Sequence, residues 1–271
     1  RPRSDLAIEG EVEAEEGVAV HPVRDYTGIV HSVEEPGPSV RRLVVDVDRP
    51  LAFNPGQYVQ LYLPGGDSRP YSVASAPADD QRIELHIKRS PGGAATDGWI
   101  FRDLAPGAGI GLSGPYGRFS FRPARAEPVL LLAAGTGLAP MKSMLAHLAG
   151  TGDDTRQVVL YHGVADADAL YEHDWLQQFE RDHSWLAYRP ALSRGQWQGR
   201  TGRVPDLLAA DYPRAAGHVA YICGSPGFVT DTMKALMKAR LFPRDIYREG
   251  FFDSADRAAG THVVRSPLIR R

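Results

Sequence analysis

The stretch PVLLLAAGTGLAP, residues 128–140, decides how this chain folds. Its apolar first half is typical of a buried strand, and the segment LAPMKSMLAHLAG that overlaps its end is typical of a helix. Gly135 and Gly137, with Thr136 between them, permit a tight strand-to-helix turn and let a dinucleotide diphosphate approach the backbone. The third glycine of the GxGxxG fingerprint is absent, but the strand–turn–helix context still predicts a nucleotide-binding turn at these three residues.

Strands and helices alternate on the carboxyl side of this stretch. The further predicted strands are QVVLYHG, WLAYRPAL and HVAYICG, and the further predicted helices are ALYEHDWLQQFERD, TGRVPDLLAA and PGFVTDTMKALMKAR. Such alternation with short loops predicts a doubly wound α/β domain with a parallel sheet over residues 124–253. The tail, residues 254–271, has no periodic pattern and is predicted to be loose.

Short β-type runs broken by Gly and Pro fill the amino-terminal side. The runs are TGIVHSV, VRRLVVDV, QYVQLYL, RIELHIKR and GIGLSGP, and they predict an antiparallel barrel over residues 24–123. One interruption, from Asp97 to Leu104, is predicted to be a short helix, and the acidic residues 1–23 are predicted to be a lead-in or linker. The predicted fold class is therefore an antiparallel barrel followed by a doubly wound parallel-sheet domain.

Composition excludes several classes of protein. The chain has 271 residues, 43% hydrophobic and 24% charged, which is typical of a globular protein with two domains of ordinary size. Its net charge of −2 provides no basic surface for nucleic acid. No apolar run reaches the roughly 20 residues of a membrane-spanning helix, and no signal segment is evident. The single cysteine, Cys223, excludes an internal disulfide and an all-cysteine cluster, so we expect no metal on this chain and a cytoplasmic location.

The most distinctive motif on the barrel side is Arg69-Pro70-Tyr71-Ser72, which follows a glycine-rich turn. An arginine fork can pair with a diphosphate through charge-assisted hydrogen bonds. The tyrosine ring can stack on a flat ring, and the serine hydroxyl can bond a ring heteroatom. On these four residues alone, a surface arginine and a half-buried tyrosine on a strand explain the pattern equally well.

A second motif, His86-Ile87-Lys88-Arg89, is followed by a glycine-containing segment that leads into the short predicted helix. Gly92 and Gly93 would let backbone amides approach an anion, and Thr96 stands where a helix N-cap is expected. Taken alone, a hairpin loop that ends in a capped helix accounts for the same residues.

A third motif, YICGSPGF at residues 221–228, lies at the predicted carboxyl end of a strand and leads into a helix. In an open α/β sheet, ligands bind at that edge. A lone buried cysteine is usually a packing residue, so the motif alone does not indicate a nucleophilic role for Cys223.

In this order, the motifs resemble those of the ferredoxin–NADP reductase superfamily. The matching segments, within residues 26–253, are RPYS (69–72), the glycine turn before Thr96, GPYG (114–117), GTGLAP (135–140) and CGSPGF (223–228). Within the superfamily, the chain resembles the reductase components of bacterial multicomponent oxygenases. That closer resemblance is carried by WQGRTG (197–202) and by the strand end Tyr161-His162-Gly163.

The resemblance implies a role for each motif. Arg69 would bind the FAD diphosphate, Tyr71 would pack on the flavin ring, and Ser72 would bond near the flavin N5. Cys223 and Glu249 would lie beside the reactive edge of the flavin, so the implied catalytic residues are Ser72, Cys223 and Glu249. The other implied cofactor-binding residues are Pro70, His86, Ile87, Lys88, Gly92, Gly93, Ala94, Ala95, Thr96, Gly135, Thr136, Gly137, Tyr161, His162, Ser193, Arg194, Gly224, Ser225, Pro226 and Phe251.

The resemblance also implies an enzyme that carries electrons from NADH through FAD to a [2Fe–2S] centre and on to an oxygenase component of aromatic hydrocarbon catabolism. The opening RPRSDLAIE resembles the stretch that follows a plant-type [2Fe–2S] domain, so that centre is expected on a missing domain or a separate ferredoxin. NADH is favoured over NADPH because no second basic residue stands beside Arg194 to meet a 2′-phosphate. Two alternatives remain open: an NADPH-dependent ferredoxin or flavodoxin reductase, and a non-catalytic subunit that binds flavin or nucleotide.

Overall fold

A computed structural model describes residues 16–90, 92–93, 95–195 and 197–251 of the chain. They form two six-stranded sheets, the first antiparallel and the second parallel with helices packed against it. The predicted fold class, an antiparallel barrel followed by a doubly wound parallel-sheet domain, is therefore confirmed. The predicted tail (254–271), Ala94 and most of the predicted lead-in (1–23) lie outside the described residues.

The first sheet is built from the segments that alternate apolar and polar residues. Its strands are β1 (Arg24–Gly37), β2 (Val40–Val47), β3 (Tyr58–Tyr62), β4 (Ser68–Ser72), β5 (Arg82–Lys88) and β6 (Gly109–Tyr116), in the order β4-β3-β6-β1-β2-β5. On β2, the buried Leu43 and Val45 pair across the sheet with the buried Leu85 and Ile83 of β5, as the two-residue period requires. An isolated bridge from Val73 to Leu85 joins the two edge strands, so the sheet closes into a barrel.

The second sheet follows from the long apolar strands of the carboxyl-terminal side. Its strands are β7 (Val129–Ala134), β8 (Val158–Val164), β9 (Leu186–Leu192), β10 (Arg200–Thr201), β11 (Val219–Gly224) and β12 (Ile246–Gly250), in the order β10-β9-β8-β7-β11-β12. The main helices are α1 (Leu138–Thr151), α2 (His173–Asp182), α3 (Val204–Asp211) and α4 (Pro226–Lys238). Among the described residues, no helix has the length and apolar character needed to cross a bilayer.

The strand order creates a switch point between β7 and β11. From β7 the chain builds outward through β8 and β9, and it then returns to the other side of β7 to add β11 and β12. The connections that follow β7 and β11 therefore run in opposite directions along the sheet. This leaves a crevice between the carboxyl ends of these two strands. The predicted boundary between residues 123 and 124 falls in the segment between β6 and β7.

The predicted helix from Asp97 to Leu104 and its predicted N-cap at Thr96 are both wrong. In place of the predicted helix from Asp97 to Leu104, a single π-helical turn spans Thr96–Ile100. Thr96 does not cap this turn, because its hydroxyl donates to the Ser90 carbonyl at 2.9 Å and accepts from the Ser90 amide at 3.1 Å. The same side chain thus closes the preceding loop instead of starting a helix.

The predicted helix TGRVPDLLAA begins later than expected. Its first residue, Thr201, instead belongs to the short strand β10 (Arg200–Thr201), which pairs with β9, and α3 begins only at Val204, with Pro205 in its first turn. Strand β12 was not predicted at all. Its sequence IYREG has one buried residue, Ile246, and polar residues beside it, so it lacks the apolar run of a central strand.

The turn between β7 and α1 packs directly on β11. A Cβ placed on Gly137 would lie 2.1 Å from the Cys223 carbonyl oxygen and 3.0 Å from the Gly224 amide nitrogen. Both are backbone atoms, so no side-chain movement relieves the overlap. Glycine at 137 therefore allows α1 to start against the neighbouring strand.

Substitution of this glycine tests the packing. Gly137→Ala is expected to lower the free energy of unfolding by about 1–3 kcal/mol or more, because the methyl group must push β7 and β11 apart. Gly150→Ala is the control: Gly150 lies near the end of α1, the helix that Gly137 precedes, and a Cβ there meets nothing within 4 Å. The control is expected to gain about 0.5–1 kcal/mol from the helix propensity of alanine. Equal urea midpoints for the two variants would contradict the contact.

Candidate functional site

A cleft of about 1130 Å³ runs between the two sheets. The barrel lines it with β4, the end of β5 and the loop before the π-helical turn. The second sheet lines it with the carboxyl ends of β7, β8, β9 and β11, so the cleft lies at the switch point. A cleft of this size can take more than a drug-sized ligand.

All four residues of the RPYS motif line this cleft. They belong to β4, which is held in place by β3 through pairs such as Tyr58 with Ser72. The Arg69 guanidinium donates to the Ser68 carbonyl at 2.8 Å and lies 3.8 Å from the Asp67 carboxylate. These local contacts use few of the five donors of a guanidinium, so Arg69 can also meet an anion in the cleft.

The loop before the π-helical turn is held closed by hydrogen bonds. Besides the Thr96–Ser90 pair, the Gly92 amide donates to the Asp97 carboxylate at 2.7 Å. A Cβ on Gly93 would lie 2.9 Å from the Ser90 carbonyl oxygen, so glycine permits this tight path. Of the predicted loop residues that the structure describes, the cleft is lined by Gly93, Ala95 and Thr96, whereas Gly92 lies outside it.

The strand ends of the second sheet supply the opposite wall. The predicted residues of this wall that line the cleft are Gly135, Thr136, Ser193, Gly224, Ser225 and Phe251. Ser225 caps α4, since its Oγ accepts from the Phe228 amide at 3.4 Å. The amino ends of α1 and α4 thus face the same space, and helix amino ends favour phosphate groups.

Two buried polar groups approach the cleft from opposite sheets. The Ser72 hydroxyl and one carboxyl oxygen of Glu249 have no hydrogen-bond partner among the described residues. Burial raises the pKa of Glu249 to about 8, against a smaller lowering by the nearby Ser72 hydroxyl. The carboxyl is therefore protonated at neutral pH and can donate a hydrogen bond into the cleft.

Cys223 lies beneath the cleft instead of in its wall. The side chain is fully buried in the apolar core of the second sheet, whereas Gly224, Ser225, Gly227 and Phe228 of this motif line the cleft. Burial raises the pKa of its thiol, and nearby Glu249 acts in the same direction, so the group is a neutral thiol. Cys223 of β11 pairs in register with Glu249 of β12, so the backbones of these two residues lie side by side.

Tyr161 and His162 are also buried under the cleft. The Tyr161 hydroxyl bonds the Asp211 carboxylate and accepts from Arg189 at 2.8 Å. The His162 Nε2 lies 3.1 Å from the Gly135 carbonyl oxygen, and burial lowers the pKa of this histidine to about 4. The imidazole is therefore neutral, and it supports the glycine turn from below.

Of the remaining predicted residues, some line the cleft and others lie behind its surface or outside it. His86 and Lys88 line the cleft, and Ile87 between them points into the barrel core. Arg194 lies outside the cleft, with its exposed guanidinium 3.9 Å from the Asp166 carboxylate. Gly137 and Pro226 support the turns and helices behind the cleft surface.

Several residues that line the cleft were not predicted from the sequence, among them Tyr58, Asp166, Tyr171 and Arg203. A local signal existed for two of them. Asp166 is an acidic residue directly after a buried strand, and Arg203 immediately precedes α3, where it pairs with Asp231 at 2.6 Å. The two tyrosines are brought to the cleft by long-range packing, which no local pattern reveals.

One group of side chains has ligand atoms spaced for a metal ion. Atoms of Glu84, His86 and Glu172 all lie within 4.8 Å of one another. The Lys142 ammonium already contacts both carboxylates of this group, at 2.7 Å from Glu84 and 2.9 Å from Glu172. The Lys142 ammonium therefore already supplies these carboxylates with the positive charge that a metal ion would bring.

Known proteins match both halves of the chain. Residues 27–121 match the oxidoreductase FAD-binding domain family, and residues 131–234 match the oxidoreductase NAD-binding domain family. The reductase component of phenol 2-monooxygenase from Pseudomonas sp. strain CF600 is 38% identical, with 100% of this chain and 77% of that protein aligned. The reductase subunit of an aromatic O-demethylase from Amycolatopsis sp. is 37% identical, with 93% of this chain and 76% of that protein aligned.

A solved structure agrees with these matches. The crystal structure of an Amycolatopsis cytochrome P450 reductase superposes with a TM-score of 0.82 and 38% identity, over 87% of this chain and 72% of that chain. The FAD-binding match coincides with the barrel and the NAD-binding match lies on the parallel sheet, so the resemblance inferred from the motifs is confirmed. The chain therefore belongs to the FAD- and NAD-binding oxidoreductases of the ferredoxin reductase family, among the reductase components of oxygenase systems.

Proposed function

We propose that this chain is the reductase of a multicomponent oxygenase. It takes hydride from NADH into FAD and passes the electrons, one at a time, to an iron–sulfur centre that serves the oxygenase. The observation that carries this proposal is the meeting in one cleft of strand β4, with its RPYS motif, and the two strand-to-helix turns after β7 and β11. That meeting supports close contact between a flavin on the barrel wall and a nicotinamide on the sheet edge.

The barrel wall has the groups that FAD needs. Arg69 would pair with the diphosphate, and the loop amide at Ala95 would bind the same anion. Tyr71 would pack on the flavin ring. The buried Ser72 hydroxyl, which has no partner among the described residues, would bond the polar edge of the ring. An orphaned buried hydroxyl is unfavourable unless a ligand satisfies it, which supports this fit.

The sheet edge has the groups that a nicotinamide dinucleotide needs. The turn at Gly135 and Thr136 and the amino end of α4 at Ser225 would receive the diphosphate. Asp166 lies in the cleft just beyond the end of β8, where a carboxylate can accept from both ribose hydroxyls and repels a 2′-phosphate. This supports NADH as the reductant in preference to NADPH.

The residues of the chain supply position and environment. When bound, a flavin accepts two electrons as hydride and releases them singly, which suits an iron–sulfur acceptor. Glu249, protonated at neutral pH, would donate a hydrogen bond without placing a negative charge beside the rings. Cys223 would act from beneath, by fixing the strand end on which the nicotinamide lies. Hydride transfer itself demands no proton donor, so orientation and exclusion of water are the main contributions.

We propose that the electron acceptors lie outside the two domains of this chain. The boundary between those two domains is proposed to lie between residues 123 and 124. One cysteine cannot ligate a [2Fe–2S] cluster, so the centre belongs on a further domain or on a ferredoxin. The similar reductase of phenol 2-monooxygenase supports an oxygenase of aromatic compounds as the final acceptor. Dependence on NADH and the buried free thiol support a cytoplasmic location.

Flavin retention tests the barrel wall. Arg69→Ala is expected to weaken FAD binding by about 10- to 100-fold, because loss of a charge-assisted pair costs roughly 1.5–3 kcal/mol. Arg102→Ala is the matched control, since its guanidinium pairs with Asp103 on the surface, away from the cleft. The FAD content after gel filtration measures the effect. Equal FAD content in both variants would contradict the placement of the diphosphate at Arg69.

The ratio of kcat/KM for NADH to that for NADPH tests the coenzyme site. Asp166→Ala is expected to lower this ratio by about tenfold, which corresponds to about 1.4 kcal/mol, because the variant no longer binds the ribose hydroxyls or repels a 2′-phosphate. Arg194→Ala is expected to leave the ratio nearly unchanged, because its side chain lies outside the cleft. A selective loss of NADPH activity in Arg194→Ala would reverse the proposed preference.

A further inference from the structure

Buried charged side chains join the two sheets beneath the cleft. Glu84 lies on β5 of the barrel, and Lys142 lies on α1 of the second sheet, with 2.7 Å between the Lys142 Nζ and a Glu84 carboxylate oxygen. The same ammonium donates to Glu172, just before α2, at 2.9 Å. Glu172 in turn accepts from Arg42 of β2 at 2.8 Å. We call Arg42, Glu84, Lys142 and Glu172 the interdomain cluster.

The four charges of the interdomain cluster balance, although Arg42 at its partly exposed edge also pairs with Glu34, and the centre of the cluster is shielded from water. Its two cations face two carboxylates, and the side chains of Lys142 and Glu172 are only 9% and 2% exposed. Burial alone would raise the pKa of Glu84, but His86 and Lys142 outweigh it and hold that pKa at about 2. Loss of the Lys142 charge would therefore leave the Glu84 carboxylate with His86 and the Glu172 carboxylate with Arg42 as their remaining partners, and would remove the ion pairs that join the two.

The cluster reaches the cleft floor through one hydrogen bond between the sheets. His86 Nε2 lies 2.5 Å from the ionised Glu84, which can only accept, so this nitrogen carries the proton. The other ring nitrogen lies 3.0 Å from the Tyr171 hydroxyl oxygen, within hydrogen-bond distance. His86 belongs to β5 of the barrel and Tyr171 to the segment between β8 and α2, and both line the cleft.

Helix α1 carries the cluster's cation close to the nucleotide turn. The turn Gly135–Gly137 leads directly into α1, and Lys142 lies in the first turns of that helix. The next residue, Ser143, donates to the Ser75 carbonyl of the barrel at 2.7 Å. Ser75 lies just beyond the RPYS strand, and its hydroxyl also accepts from the Glu84 amide at 3.2 Å. Two adjacent residues of α1, Lys142 and Ser143, thus hold the nucleotide turn against the barrel wall of the cleft, which we call the flavin wall.

Glu172 adopts a backbone conformation that is unusual for its residue type. Its φ is 58°, in the left-handed region that favours glycine. Such a conformation persists only where the surroundings hold it. Here the Glu172 carboxylate bonds both Lys142 and Arg42, so the cluster supplies that hold.

We infer that Lys142 is a positioning residue for hydride transfer. Through Glu84 and Glu172 it fixes α1 and its nucleotide turn against β5 and the flavin wall, and so sets the gap across which the hydride passes. The inference rests on the proposed function for its kinetic consequence, while the coupling of the two domains can be measured without turnover. Lys142 itself lies below the cleft surface and touches neither dinucleotide site.

Three variants of the flavin-loaded full chain test this role. Lys142→Met keeps the length of the side chain and removes the charge, Lys142→Arg restores the charge, and Arg82→Met is the matched control. Arg82 lies on the same strand as Glu84, but its partner Asp46 belongs to the barrel, so its loss leaves the contact between sheets intact. The measurements are FAD content, the Kd of NADH, the flavin reduction rate at saturating NADH in stopped flow, and the number of calorimetric unfolding transitions.

The expected result separates positioning from stability. Lys142→Met should keep its FAD and bind NADH normally, yet reduce its flavin at least about tenfold more slowly, because a shift of about 1 Å can cost about a hundredfold in rate. It should also unfold in two transitions where the wild type and Arg82→Met unfold in one. Lys142→Arg should restore both properties in large part.

Other outcomes overturn the inference. A Lys142→Met protein with the wild-type reduction rate and a single transition would show that the cluster does not set the gap. If that variant fails to fold, Glu172→Gln removes one charge from the same cluster while it keeps an amide of similar shape, and an unchanged reduction rate there overturns the inference equally. A wild-type flavin that NADH does not reduce would instead refute the proposed function, and calorimetry would still report the coupling of the domains.

Discussion

The contact of Gly137 with the Cys223 carbonyl is the constraint on which the functional architecture depends. There is no room for a side chain at this point between β7 and β11. Because Gly137 has none, α1 can start against the neighbouring strand. From that start, α1 runs so that Lys142 and Ser143 reach the barrel. The same contact holds the nucleotide turn at the switch point of the sheet. One close approach of backbone to backbone thus positions both the nucleotide turn and the helix whose side chains reach the barrel.

Charge is distributed unevenly around the cleft. Where the two rings would meet, the buried acidic and basic groups are neutral: burial raises the pKa of Glu249 to about 8 and lowers the pKa of His162 to about 4. Fixed charges lie elsewhere, in the interdomain cluster below the floor and at Arg69 on the barrel wall. Such a division suits hydride transfer, which needs near contact of two flat rings more than it needs a proton donor.

Much of the fold could be predicted from the sequence because its signals are local. Strand alternation, the GTG turn and the regular succession of strands and helices each depend on neighbours in the chain. Thr96 was misjudged because its hydroxyl finds a partner six residues earlier, which competes with helix capping. The depth of Cys223 and Tyr161 below the cleft could not be predicted, since motif position says which strand end a residue occupies but not which face it occupies. The interdomain cluster joins residues 130 positions apart in the case of Arg42 and Glu172, so no local pattern contains it.

Anaerobic reduction of the bound flavin tests the proposed electron path most directly. The full chain, loaded with FAD and freed of oxygen, is mixed with NADH and, separately, with NADPH while the flavin absorbance is followed. A hydride path across the cleft predicts a yellow protein that bleaches fully with about one equivalent of NADH, and more slowly with NADPH, because a flavin takes both electrons of the hydride. A protein that stays colourless after incubation with FAD, or stays yellow with either coenzyme, would contradict that path and identify a subunit that binds without catalysis.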